Sequence, residues 1–146
     1  MKQRIDYKKA SPGAFKAMLG VEACVQSSGL DHGLLELVKV RVSQINGCAF
    51  CLDMHTRDAR QAGESEQRLH LLAAWREAPC YSDLERVALA WAEAVTQLSS
   101  TAVSDELYEQ ARLHFDEKAL VDLTLAIVAI NGWNRLAVAF RIAPGS

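Results

Sequence analysis

The chain carries almost no excess charge. Sixteen Lys and Arg stand against eighteen Asp and Glu, a formal net charge of −2. That leaves no electrostatic case for nucleic acid as a partner. A secretory signal is missing too, because the basic start MKQRIDYKK has no apolar run behind it. So is an uninterrupted membrane span. The most apolar stretch, 119–140, is broken by Asp122, Asn131, Asn134 and Arg135. There is no internal repeat, no low-complexity segment and no linker. The 146 residues therefore fit one domain, 1–146, around one sizeable core. Without an export signal the cytoplasm is the default compartment, and thiols stay reduced there. A Cys-x-x-Cys in that setting points to redox or metal chemistry rather than to a structural disulfide.

Strand patterns are nearly absent as well. Only Val38-Lys39-Val40-Arg41-Val42-Ser43 alternates with period two, and no second segment alternates to pair with it. We therefore read this stretch as part of a helix capped by Asp31, with Leu34, Leu35, Val38, Val42 and Ile45 on one face. The expectation is an all-α single domain of six or seven helices.

The remaining elements follow from caps and periodicity. Ser11-Pro12 reads as an N-cap with proline at N1, and Gly29 as a stop. Phe15, Met18, Leu19 and Val25 form an irregular apolar stripe between them, with Cys24 expected as a small buried hydrophobe. A helix over 48–62 should stop at Gly63, with Cys48, Cys51, Leu52, His55, Ala59 and Ala62 facing inward. A short helix capped by Ser65 should end near Trp75, and Pro79-Cys80-Tyr81 should be a loop. Cys80 has no acid–base partner nearby in sequence. Ser82-Asp83-Leu84-Glu85 is a capping box. It opens an amphipathic helix carrying Leu84, Val87, Ala88, Trp91, Ala94, Val95 and Leu98. Ser104 caps another helix. Asp116 caps the last, which is apolar nearly all round over 120–130 and should be buried on more than one side, in the core or between subunits.

The chemistry concentrates in ELVKVRVSQINGCAFCLDMH. Asn46-Gly47 is a breaker dipeptide just ahead of Cys48. A helix starting there puts Cys48, Cys51 and His55 at i, i+3 and i+7, on one face. Two thiols and an imidazole then meet at a helix N-terminus, where thiolates form readily. Zinc is a competing use of these groups. Structural zinc sites take four ligands, however, and Cys48, Cys51 and His55 supply three, with Glu36 an uncommon fourth. A thioredoxin-type use of the motif needs a βαβ context that the chain does not offer. Taken singly, His55 would be a core histidine and Glu36 a solvated helix residue. Two cysteines on the face of His55 favour a reactive site.

The pattern Glu36, eleven residues, Cys48-Ala49-Phe50-Cys51, three residues, His55 resembles the alkylhydroperoxidase D-like (AhpD-like) branch of the carboxymuconolactone decarboxylase superfamily. The flanking RVSQINGCAFCLDMHTRDARQAG, LERVALAWAEAVT and INGWNRLAVAFR look like that family too, so the resemblance runs from about residue 29 onward. It implies an all-α fold assembled as homotrimers or homohexamers. It also implies peroxidase or thiol–disulfide activity, with Glu36 and His55 as a proton relay to the cysteines. The peroxide-reacting role then falls on Cys51, and Cys48 resolves. Phe50 is a departure, because some members have histidine between the cysteines. Decarboxylating members lack the cysteine pair, which argues against lactone decarboxylation here.

The function expected is a peroxidase without cofactor or metal. It reduces a hydroperoxide through Cys48 and Cys51 and is recycled by an external dithiol, a lipoyl protein or a thioredoxin-like one. A thiol–disulfide reductase or redox sensor without peroxide selectivity, and a redox-inert assembly protein, are the alternatives. Phe50 and Trp133 are candidates for lining a substrate pocket, although aromatics at such positions are commonly plain core.

Overall fold

The structure, a computed structural model, describes residues 1–145. Among them are eight α-helices and no strand. They are α1 (Tyr7–Ala10), α2 (Pro12–Gln26), α3 (His32–Asn46), α4 (Ala49–Gln61), α5 (Glu66–Leu71), α6 (Asp83–Thr96), α7 (Asp105–His114) and α8 (Glu117–Phe140). A 3-10 turn, Leu72–Ala74, extends α5.

The all-α class expected from sequence holds, with one helix more than the upper expectation. The addition is α1, a single turn whose N-cap Asp6 accepts from the Lys8 and Lys9 amides. It carries no apolar period and so leaves no trace in a hydrophobic pattern. The caps read from sequence are present. Asp31 accepts from the Leu34 amide at 2.9 Å, Asp116 from that of Ala119 at 2.7 Å, and Ser82 and Glu85 close a complete capping box. Ser11 takes the N-cap position of α2 with Pro12 behind it, but its side chain makes no capping bond.

The middle of the fold is α3. It packs against α4, α6 and α8, and nine of its residues are buried. Val38, Val40 and Val42 are all 0% exposed. The period-two pattern there is thus a helix surrounded on every side, not a strand. Three apolar clusters run from it. One joins Val38 and Val42 to Trp91, Leu123, Ile127 and Ile130, a second joins Leu37 and Val40 to Leu72, Trp75 and Leu89, and a third joins Leu35 to Val25, Ala126 and Ala129.

Three details differ from the sequence reading. Cys24 is exposed, because Val25 is the one buried residue of α2 and its neighbour lies about 100° further round the helix. Ala62 is exposed just beyond the end of α4, and Leu98 is exposed two residues past α6.

By length and composition α8 could cross a membrane, and here it is a core helix. Leu123, Ile127 and Ile130 turn into the bundle, and the buried Asn134 donates to Ser43 at 3.0 Å. Its opposite side is open. Val121 and Val128 are 67% and 54% exposed beside a groove that also takes in Trp91, Tyr108 and Leu125.

Candidate active site

Gly47 creates the site's geometry. It sits at φ 65°, left-handed, as the C-cap of α3, and glycine accepts that conformation without a Cβ penalty. The chain thereby reverses between α3 and α4 in two residues, which brings Cys48 to the N-cap of α4. Asn46 anchors the turn, donating to Asn134 at 2.9 Å and to Asn131 at 3.0 Å.

Cys48 and Cys51 are joined as a disulfide, with Cα atoms 5.4 Å apart. Cys48 Sγ also accepts from the Cys51 amide at 3.3 Å, doing the work of a capping oxygen. Each cysteine is 1% exposed.

One turn further along α4, His55 is 7% exposed. Its Nδ1 lies 2.9 Å from Glu36 Oε2. Thus all four residues singled out in the sequence, Glu36, Cys48, Cys51 and His55, converge where α3 packs on α4. Burial alone would push the Glu36 carboxyl up. The hydrogen bond with His55 and the charges of His55, Lys39 and His32 outweigh it and hold Glu36 below its ordinary value. An ionised Glu36 accepts from Nδ1–H, so whenever the ring is unprotonated its lone pair lies on Nε2.

Two further residues belong to this cluster. The Lys39 side chain is 3% exposed, with Nζ 2.8 Å from Glu22 Oε1 on α2 and 3.6 Å from Glu36 Oε1. Glu22 also accepts from Gln26 at 3.1 Å and from the Trp133 indole N–H at 3.3 Å. Burial pushes the Glu22 carboxyl up, but the Lys39 ammonium and these donors bring it below its ordinary value. The sequence signal for this is a lysine inside a run of core valines, three residues after Glu36.

The cluster opens on a cavity of about 350 Å³. Cys51, His55 and Glu36 line one side of it, and Cys48 is not among the lining residues. Phe15, Phe50, Met54 and Trp133 form an apolar wall, so both aromatic candidates do line a pocket. Tyr7 closes the outer edge. Rings run in series from Phe140 to Tyr7 (6.1 Å), Tyr7 to Phe15 (6.2 Å) and Phe15 to Trp133 (6.0 Å). The N-terminal segment is tied down beside them, the Arg4 amide donating to the Phe140 carbonyl at 3.0 Å. The sequence pattern places Phe15 only in a core stripe and gives Tyr7 no role.

Asp58 brings its carboxylate near His55 and Glu36, the three donor atoms lying within 4.8 Å of one another. Two of these groups are already hydrogen-bonded to each other with Lys39 beside them, a poor starting point for a cation.

The domain is all-helical, with a Cys-x-x-Cys at the head of one helix and a Glu–His pair beside it. Residues 12–94 match the carboxymuconolactone decarboxylase family, and the chain belongs to it, in the AhpD-like branch. It is 48% identical over 139 residues to the uncharacterized protein YdfG of Bacillus subtilis, covering 95% of each chain. A solved structure from Agrobacterium tumefaciens superimposes with a TM-score of 0.96 at 50% identity, covering 99% of each chain. That protein is of unknown function and carries the provisional description of antioxidant defence protein AhpD. An uncharacterized peroxidase-related protein from Silicibacter sp. superimposes with a TM-score of 0.79 at 27% identity, over 90% of this chain and 70% of that one.

Proposed function

We propose that this protein is a cytoplasmic thiol peroxidase that reduces hydroperoxides through Cys51 and Cys48, with Glu36 and His55 as the proton relay. The observation that carries the reading is the asymmetry of the pair. Cys51 lines the cavity one helical turn before the Glu36-bonded His55, and Cys48 is not among the lining residues.

In the reduced protein His55 Nε2 takes the Cys51 proton, and Glu36 stabilises the imidazolium. The thiolate attacks one oxygen of R–O–O–H. The O–O bond breaks, sulfur gains OH, and the alkoxide leaves as R–OH with the proton held by His55. The Cys48 thiol then condenses with the sulfenic acid, releasing water and forming the Cys48–Cys51 disulfide. A dithiol of the lipoyl or thioredoxin type restores both thiols by exchange and leaves as a disulfide. Two physical effects compete over which sulfur attacks. The helix dipole favours Cys48, but contributes only about 0.3–1 kcal/mol and fades within one turn. A positioned general base contributes roughly 10²–10⁴-fold, and that favours Cys51.

The assembly proposed is a homotrimer or a homohexamer built from two trimers. The exposed side of α8 beside Trp91 and Tyr108 supports it, since large open apolar patches are rare on monomers.

Serine variants treated with one equivalent of hydroperoxide test the mechanism. Cys48→Ser should form a trappable sulfenic acid on Cys51 and not turn over, and Cys51→Ser should react little. A sulfenic acid on Cys48 of the Cys51→Ser protein at the wild-type rate reverses the roles. Equal, slow thiol loss with peroxides and with unrelated disulfides favours a general thiol–disulfide reductase instead.

A further inference from the structure

Lys39 is an expensive residue to place where it is. Its ammonium is shut from water between α2 and α3, and burying a charge there costs stability unless partners compensate. A methionine of similar length would pack among the same helices at no such cost. The compensation is specific. Glu22 takes the ammonium at 2.8 Å, which leaves it 3.6 Å from the Glu36 oxygen that His55 does not use. Gln26 and the Trp133 indole hold Glu22 in turn. The result is one line of groups drawn from four helices, ending at the imidazole one turn from Cys51.

We propose that Lys39, locked by Glu22, is a positioning residue of this site: it holds Glu36 as a carboxylate and so keeps His55 in the tautomer whose Nε2 can take a proton. The inference rests on the thiol chemistry proposed above. Its chemical logic is that a protonated Glu36 would donate its O–H to Nδ1. The ring proton would then move to Nε2, and the base would be lost. Lys39 prevents this by making ionisation of Glu36 favourable inside the protein.

The other charged groups near this pair are few. The cavity receives Lys8 and Tyr7 from α1, His32 from α3 itself, and Asp58 beside His55 on α4. From α8 it receives the neutral Trp133. Glu93 of α6 is engaged elsewhere, by Arg41 at 2.9 Å and Arg76 at 2.6 Å. Among the described residues, Lys39 is therefore the one lysine or arginine in ion-pair contact with Glu36.

The test follows alkylation of Cys51 in the reduced full-length protein by iodoacetamide across pH 5–9, read by peptide mass so that Cys24 and Cys80 do not interfere. Three variants are compared with wild type: Lys39→Met, Lys39→Arg, and Glu22→Gln/Lys39→Met. The double variant removes one charge of each sign and so spares the fold an unpaired buried carboxylate. The acid limb of the profile should move to higher pH in Lys39→Met and in the double variant. At the acid end the rate should fall about threefold or more, the scale expected for losing one neighbouring opposite charge. Near pH 8 it should stay within about twofold, and Lys39→Arg should follow wild type. Limbs that superimpose on wild type, with only thermal stability changed, would reduce Lys39 to a structural residue and overturn the inference. A wild-type Cys51 that alkylates like an ordinary free thiol defeats the peroxidase reading itself, and this inference with it.

Discussion

Replacing Glu36 by glutamine probes the site at a buried polar contact. The side chain is 4% exposed and its Oε2 lies 2.9 Å from His55 Nδ1. The amide oxygen of the introduced glutamine can still accept from Nδ1–H, so the geometry should survive, and the charge is what disappears. A charge-assisted hydrogen bond is worth about 1.5–3 kcal/mol. Lys39 also loses one of its two carboxylates but keeps Glu22 at 2.8 Å, which limits the damage to less than the roughly 3–5 kcal/mol of a fully broken buried pair. The expected destabilisation near neutral pH is about 2–4 kcal/mol. For a chain of this size that is a fall in Tm of roughly 5–15 °C.

The pH dependence separates charge from packing. The Glu36 carboxyl lies below its ordinary value of 4.5 in the folded protein. Its contribution is therefore fully present above that value and is lost as pH falls through the lower folded one. The gap between wild type and Glu36→Gln should be widest near pH 7 and should close on acidification below about 4.5. Denaturant titrations at pH 7 and at a pH well below 4.5 measure it. A gap of constant size at both would mean that shape, not charge, sets the cost, and the account of Glu36 as an ionised orienter would fail. Cys51 reactivity should drop in the same variant, and further in His55→Ala, which removes the base itself.

Two other expectations concern the whole chain. Light scattering at micromolar concentration should report a trimer or hexamer, and Val128→Glu, placed on the exposed side of α8, should shift it toward monomer; a wild-type monomer refutes the assembly. Elemental analysis should find no stoichiometric zinc, and chelators should leave the fold intact; one zinc per chain with unfolding on chelation would restore the metal reading.

Most of the fold was legible because helix signals are local. Asp31, Ser65, Ser82, Ser104 and Asp116 each mark the residue before a helix, and each caps through its own side chain. The convergence of Glu36, Cys48, Cys51 and His55 was legible because three of them lie on α4 or at its N-cap and the fourth matches a family spacing. What stayed hidden was long-range. Glu22 and Lys39 meet across 17 residues, and Trp133 reaches Glu22 across 111. No periodicity reports a contact between helices that far apart. Cys24 failed for a related reason, since one residue's shift around a helix turns core into surface.

The turn between α3 and α4 also governs how the protein ages. Asn46-Gly47 is the dipeptide most prone to deamidation, because the glycine amide can close on the asparagine side chain to a succinimide without steric hindrance. Here the Asn46 amide group is pinned by Asn131 and Asn134, and Gly47 N–H is turned back onto the Gln44 carbonyl at 3.3 Å. Folding thus removes both reactants from reach of each other. If the turn opens and the reaction proceeds, an isoaspartate at position 46 lengthens the backbone two residues before Cys48. A carboxylate then faces the side-chain oxygens of Asn131 and Asn134, where a donor used to be. The cysteine pair would lose its register through a slow covalent change beside it, without itself being oxidised. Peptide mapping of stored protein, folded against urea-unfolded, reads how much shelf life the turn confers.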